Sequence, residues 1–269
     1  MDGLDAERRC DSVTHLDITA ASRAEEAGYL ALNDIARLST KIGIEYRIVG
    51  GQMVTLHVAA AGVDEPVIRV TLDADLGVEA GTAGDPALVT GLAELGYDRP
   101  NSANRFVRVL DGEHELVIDL LAPSYGTKML TNRQHGDMTL DEIPGLSLAL
   151  ARPGEALDLT VRLLDGSSIE FTTVVPDLAA SLCVKVLAWG DRGAAKDAHD
   201  VWRLLRAFQA RYPDPPAFGT TAVQGDAVNV LREGFVRPSG RGSQLASSDR
   251  REQAEIRALA LAALKNTPG

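Results

Sequence analysis

The sequence predicts an α+β protein, with a mixed sheet and flanking helices over residues 1–175 and a helical part over 176–269. Three observations carry that expectation. Residues 66–76 alternate apolar and polar side chains with the period of a strand. Residues 18–41, 178–189 and 194–212 instead repeat apolar side chains at helical spacing. The change of period falls after Pro176 and divides the chain into two expected domains, 1–175 and 176–269.

The elements follow in order. Residues 18–41 place Ala20, Ala24, Ala27, Leu30, Ala31, Ile35 and Leu38 on one helical face, with Thr19 or Ser22 as the cap. A short strand at 45–49 runs into Gly50-Gly51, a helix follows at 52–60, and a turn at 62–65 precedes the strand 66–76. Residues 85–95 are expected to be helical. Residues 105–110 and 113–121 form a hairpin turning at Asp111-Gly112, and 123–144 is read as polar and irregular. Strands are expected at 146–151, 157–164 and 168–174, with Asp165-Gly166 as the tight turn between the last two. Beyond the two helices that follow Pro176, further helices are expected at 226–233 and 247–265, and the Gly/Ser/Arg-rich stretch 237–248 reads as a mobile loop or linker.

Composition narrows the function. The 269 residues carry 27 Lys and Arg against 38 Asp and Glu, a net charge of −11, which excludes a protein that coats nucleic acid or a membrane surface. Any nucleic-acid contact must be local, for instance through Arg232, Arg237, Arg241, Arg250 and Arg251, which read equally well as a solvated surface. Cys10 and Cys183 match no zinc or redox spacing, which points to a reducing compartment. Residues 1–16 are charged, and the longest apolar stretch, 256–264 with Arg257 inside it, is far short of the roughly 20 residues that span a bilayer. A soluble cytoplasmic protein with no membrane partner is expected.

The chemistry concentrates in Val67–Leu76. Ile68, Val70, Leu72, Ala74 and Leu76 share one face of the strand; Arg69, Thr71, Asp73 and Asp75 share the other. Two neighbouring carboxylates on a strand repel, so a cation or ligand is needed to offset them, unless the face is simply solvated. Mg²⁺, which takes oxygen ligands and commonly bridges carboxylates to substrate phosphates, is the natural partner. Upstream, Tyr46–Met53 runs a strand through Gly50-Gly51 into a helix, a geometry that brings backbone N–H groups close to a phosphate. Asp119 offers a third carboxylate near the end of an apolar strand, where it serves as a metal ligand, activates a hydroxyl, or merely faces water.

Val49-Gly50-Gly51-Gln52 followed by Arg69-x-Thr71-x-Asp73-x-Asp75 resembles the polymerase-β-like nucleotidyltransferase superfamily, and within it the AbiEii/MenT-like branch of toxin nucleotidyltransferases. The likeness continues in Lys185–Arg192 and Lys196–Val201, which are similar to that branch's helical signature. The resemblance implies a nucleotidyltransferase fold and transfer of a nucleoside monophosphate from a nucleoside triphosphate to an acceptor hydroxyl, with pyrophosphate released. It implies Mg²⁺ or Mn²⁺ held by Asp73, Asp75 and Asp119, with Lys185 among the catalytic groups. Gly50, Gly51, Gln52, Arg69, Thr71, Lys196, Asp197 and Asp200 would attend the nucleotide. Gln52 stands where many relatives carry Ser or Thr, so the phosphate contact there falls to the backbone. A toxin acting on the tRNA 3′ acceptor end, with a cognate antitoxin protein, is the expected biology. Two alternatives stand beside it: a small-molecule, aminoglycoside-type acceptor, and a catalytically silent nucleotide-binding module.

Lys196, Asp197 and Asp200 share neighbouring positions on one helix surface, where the pattern alone favours an ordinary Lys196–Asp200 ion pair and the resemblance favours contact of Lys196 with phosphate or acceptor. His57 and His199 read as packing or surface residues, with His199 also a candidate for the cleft, and Trp189 and Trp202 read as packing residues. Ser124, Ser167 and Ser181 lack the context of a hydrolase nucleophile.

Overall fold

The computed structural model describes residues 13–64, 71–100, 104–110, 114–219 and 221–267. Arg69, Cys10, the turn at 111–112 and the first half of the expected strand 66–76 lie outside the described residues. In chain order the elements are β1 (Thr14–Thr19), α1 (Arg23–Ile42), β2 (Arg47–Val49), α2 (Gly50–Ala60), β3 (Asp73–Gly77), α3 (Ala80–Ala83) and α4 (Pro86–Glu94). There follow β4 (Arg105–Val109), β5 (Glu115–Ser124), β6 (Leu130–His135), β7 (Met138–Pro144), α5 (Leu146–Ala151), β8 (Gly154–Arg162) and β9 (Ser168–Pro176). The last part holds α6 (Leu178–Arg192), α7 (Ala195–Arg211), α8 (Ala222–Leu231), a π-helical turn (Arg232–Val236), α9 (Arg241–Ala246) and α10 (Arg250–Ala263). The architecture is α+β, with mixed sheets and flanking helices. None of the described helices is long and apolar enough to cross a membrane.

Two sheets organise the first part. One has the order β1-β8-β9; the other runs β2-β3-β5-β7-β6, with β4 also paired to β5. In the larger sheet β3 lies antiparallel to β2 and parallel to β5, which in turn is parallel to β7. Local chemistry explains the well-read elements. Ser22 caps α1 by accepting from the Glu25 amide at 3.2 Å, Glu25 answers by accepting from the Ala21 amide at 2.8 Å, and Gly43 ends the helix at φ +70°. Asp165 accepts from the Ser167 amide at 2.8 Å while Gly166 takes φ +87°, which closes the β8–β9 hairpin.

Four expectations need correction. Residues 14–19 form a strand, and the helix begins only after Ser22; β1 pairs in parallel with β8, too far along the chain to leave a local signal. Residues 123–144 are not irregular: β6 and β7 form a hairpin whose outer strand is exposed almost throughout, so its polar composition hides the strand. Residues 146–151 are helical, because burial of Leu146, Ala149 and Leu150 follows i, i+3, i+4 spacing. Residues 237–248 contain α9, packed on the π-helical turn; Gly242 lies so close to the Phe235 ring that a Cβ there would come within 2.6 Å of it.

A single hydrophobic core runs through both parts, from Leu32, Met53 and Ile118 to Leu182, Leu204 and Phe235, so packing is continuous across residue 175. Trp189 meets Phe235 edge-on at 4.7 Å, in keeping with its expected packing role. His57 is likewise interior: its Nε2 lies 3.0 Å from the Pro176 carbonyl and 2.8 Å from Ser181 Oγ.

Candidate active site

The larger sheet brings the expected carboxylates together. Asp75 stands opposite Asp119 across the parallel β3–β5 ladder, and Asp73 opposite Val117, so all three carboxylates emerge on one face. Ala74 and Leu76 point the other way into the core. Leu72, expected on that apolar face, is 55% exposed, because β3 begins only at Asp73.

The glycine pair is fitted to this strand. Val49 pairs with Asp75 across the β2–β3 ladder, and the chain enters α2 at Gly50 with φ +67°. A Cβ on Gly50 would fall 1.6 Å from Asp75 Oδ2, and one on Gly51 would fall 2.6 Å from Thr71 Oγ1. Only glycine permits this approach. Among the described residues no side chain caps the start of α2, which leaves its first amides open to an anion. Gln52 does not share that role with its side chain, which is buried and donates from Nε2 to the Thr71 carbonyl at 3.2 Å. Thr71 lines the cleft with a buried hydroxyl that has no hydrogen-bond partner among the described residues.

Charge is concentrated at the cleft floor. Desolvation of the half-buried Asp75 pushes its carboxyl up to about 7; Lys185 opposes that, the negative charges of Asp73 and Asp119 add to it, and Arg192 opposes it more weakly. Arg105, directly across from Asp119 in the β4–β5 ladder, clamps it with Nε 2.8 Å from Oδ1 and Nη2 2.6 Å from Oδ2. The same Nη2 lies 3.5 Å from Asp73 Oδ2. These carboxylates hold the guanidinium still more firmly charged than usual.

Helices supply the opposite wall of a cavity of about 300 Å³, near the lower limit of small-molecule pockets. Val184, Lys185, Ala188, Asp191 and Arg192 form one stripe of α6, and Lys196 and Asp197 follow at the start of α7. Lys185 is nearly buried, with Nζ 2.8 Å from Asp200 Oδ2. Arg192 grips Asp197 at 3.0 and 2.8 Å. Lys196 is exposed at the rim, with no ion pair to a described residue. Asp200 is therefore corrected: it is fully buried beneath Lys185 and Arg203 rather than beside Lys196, and it positions the lysine instead of lining the cleft.

The donor set is oxygen-only, the chemistry that a hard divalent cation prefers. The partly desolvated Asp75 beside two further carboxylates is the kind of cluster such a cation would neutralise. Among the described residues, however, no three His, Cys, Asp or Glu side chains are drawn into a finished metal cage. Arg105 engages two of the three carboxylates instead. No protein-family model and no curated protein matches the chain.

Sequence reasoning missed Arg105 and Asp141 as lining residues. The expected hairpin gave a near signal for Arg105, since a two-residue turn at 111–112 would set position 105 opposite 118, one residue short of the observed 119. Asp141 sits on β7, read as irregular, where it accepts from the Asn132 amide at 2.9 Å.

Proposed function

We propose that this chain is a nucleotidyltransferase that uses Mg²⁺ or Mn²⁺ to move a nucleoside monophosphate from a nucleoside triphosphate to an acceptor hydroxyl. The observation that carries this reading is the register of Asp75 with Asp119, beside Asp73, across a cleft from Lys185, Arg192 and Lys196. The resemblance to the polymerase-β-like superfamily supports the same reaction and the same fold assignment.

Each residue has a physical task in that chemistry. The amides at Gly50 and Gly51 face the triphosphate, and the orphaned Thr71 hydroxyl stands ready to donate to a phosphate oxygen. Lys185, held by Asp200, and Lys196 oppose the charge that develops on the departing pyrophosphate. Asp119 accepts the proton of the acceptor hydroxyl as the new O–P bond forms and the bond to the β-phosphate oxygen breaks. When bound, the divalent cation at Asp73, Asp75 and Asp119 supplies charge neutralisation and orientation of the phosphates.

We assign the tRNA 3′ end as acceptor and a toxin role, on the strength of the resemblance alone. A small cationic hydroxylated acceptor is the second reading, favoured by Asp141 and Asp191 at the cleft and by the acidic charge of the chain. Labelled nucleoside triphosphates, Mg²⁺ and total tRNA, incubated with the native chain and with Asp73→Ala, test the proposal. Label should enter RNA only with the native chain. Equal labelling by both proteins refutes the reaction, and label that follows a small molecule rather than RNA selects the second acceptor.

A further inference from the structure

We infer that Arg105 is a resident counter-cation of the carboxylate face, which a divalent cation must displace from Asp119 and Asp73 before both can act as ligands. The inference rests on the metal-dependent reading above and adds a residue that no motif singled out. Its basis is geometric. The β4–β5 ladder fixes Arg105 opposite Asp119, and the planar guanidinium engages both Asp119 oxygens while reaching Asp73 at 3.5 Å.

A guanidinium stays charged at all accessible pH, so it and a divalent cation cannot share the same carboxylate oxygens without strong repulsion. Displacement is sterically open: the Arg105 side chain is 49% exposed, whereas Asp119 beneath it is 13% exposed. The arginine can therefore swing into solvent while the carboxylate stays on the rigid ladder. Asp75, on the far side of Asp119 from β4, lies outside the clamp and gives the incoming cation a first foothold. The apparent metal affinity is then the intrinsic affinity reduced by the fraction of molecules with Arg105 released.

Mn²⁺ binding, read as the loss of the free-ion electron paramagnetic resonance signal, tests the exchange without any turnover. The samples are the native chain, Arg105→Gln, Arg105→Lys and Asp75→Asn, each checked by circular dichroism and by melting in EDTA. Arg105→Gln should bind Mn²⁺ at least fivefold more tightly than the native chain, with Arg105→Lys between them, because lysine keeps the charge but loses the two-point grip. Asp75→Asn should bind weakly. Should the glutamine variant fail to fold, the lysine variant alone must still show tighter binding. Equal or weaker Mn²⁺ binding by the folded Arg105 variants overturns the inference, and a lowered melting temperature in EDTA beside it leaves Arg105 a structural clamp. Binding that is intact in the native chain and unchanged in Asp75→Asn, or absent in every sample, overturns the metal-dependent reading itself.

Discussion

Lys185 and Asp200 form a buried ion pair at the wall of the cleft. The side chains are 7% and 0% exposed and meet at 2.8 Å, with Arg203 3.9 Å from the other Asp200 oxygen. Lys185→Met removes one charge of a buried pair and takes from the other a partner held at 2.8 Å, a change that costs about 3–5 kcal/mol. For a chain of this size the corresponding fall in melting temperature is roughly 10 °C. Asp200→Asn should also destabilise, but the double variant should be less unstable than the two single losses added together, by about 2 kcal/mol. Urea denaturation of all four proteins measures the cycle, and transfer activity is followed in parallel. Partial recovery of stability in the double variant with no recovery of activity is expected, because Lys185 also faces the cleft. Additive losses, or a Lys185→Met cost below about 1 kcal/mol, would refute the buried-pair argument.

Three further outcomes follow from the structure. Gly50→Ala places a Cβ on Asp75 Oδ2 and forces a left-handed backbone on alanine, so it should cost about 1–2 kcal/mol and lower transfer activity about 10²-fold; unchanged activity would show that the elbow does not fix Asp75. Burial pushes the His57 imidazole from 6.5 down to about 4, so between those values the unfolded chain takes up a proton that the folded chain refuses. Its contribution is present in full above pH 6.5 and falls away toward pH 4; the stability advantage of the native chain over His57→Gln should shrink by about 3 kcal/mol across that window, and a constant difference would contradict the assignment. Gly242→Ala drives a methyl group against the Phe235 ring and should destabilise by about 1–3 kcal/mol in thermal melts, whereas a loose linker at 237–248 would tolerate it.

Much of the site was legible because its signals are local. Alternation through Ala74 and Leu76 oriented Asp73 and Asp75, and the strand ending at Val49 announced the glycine elbow. What escaped depended on distant partners or on polar edges. β1 finds its mate in β8, β6 presents almost no buried side chain, and α9 is held by glycine contacts that composition presents as flexibility. Asp200 was misplaced for a related reason: helical spacing gives its angle relative to Lys196 but not the neighbour that α7 meets, and α6 supplies Lys185 there. Gln52 shows the converse, since the sequence places it at the start of a helix, as the structure does, while its side chain serves the Thr71 carbonyl.

The central claim is that Asp73, Asp75 and Asp119 hold a metal-bound nucleotide against the wall of α6 and α7. Anomalous diffraction from crystals grown with Mn²⁺ and a non-hydrolysable nucleoside triphosphate locates the ion directly. A manganese peak within coordination distance of Asp75 and Asp119, with Arg105 swung clear and the phosphates against Gly50, Gly51 and Lys185, is the expected result. Manganese bound elsewhere, or a triphosphate seated away from this cleft while Arg105 keeps its grip on Asp119, would contradict it.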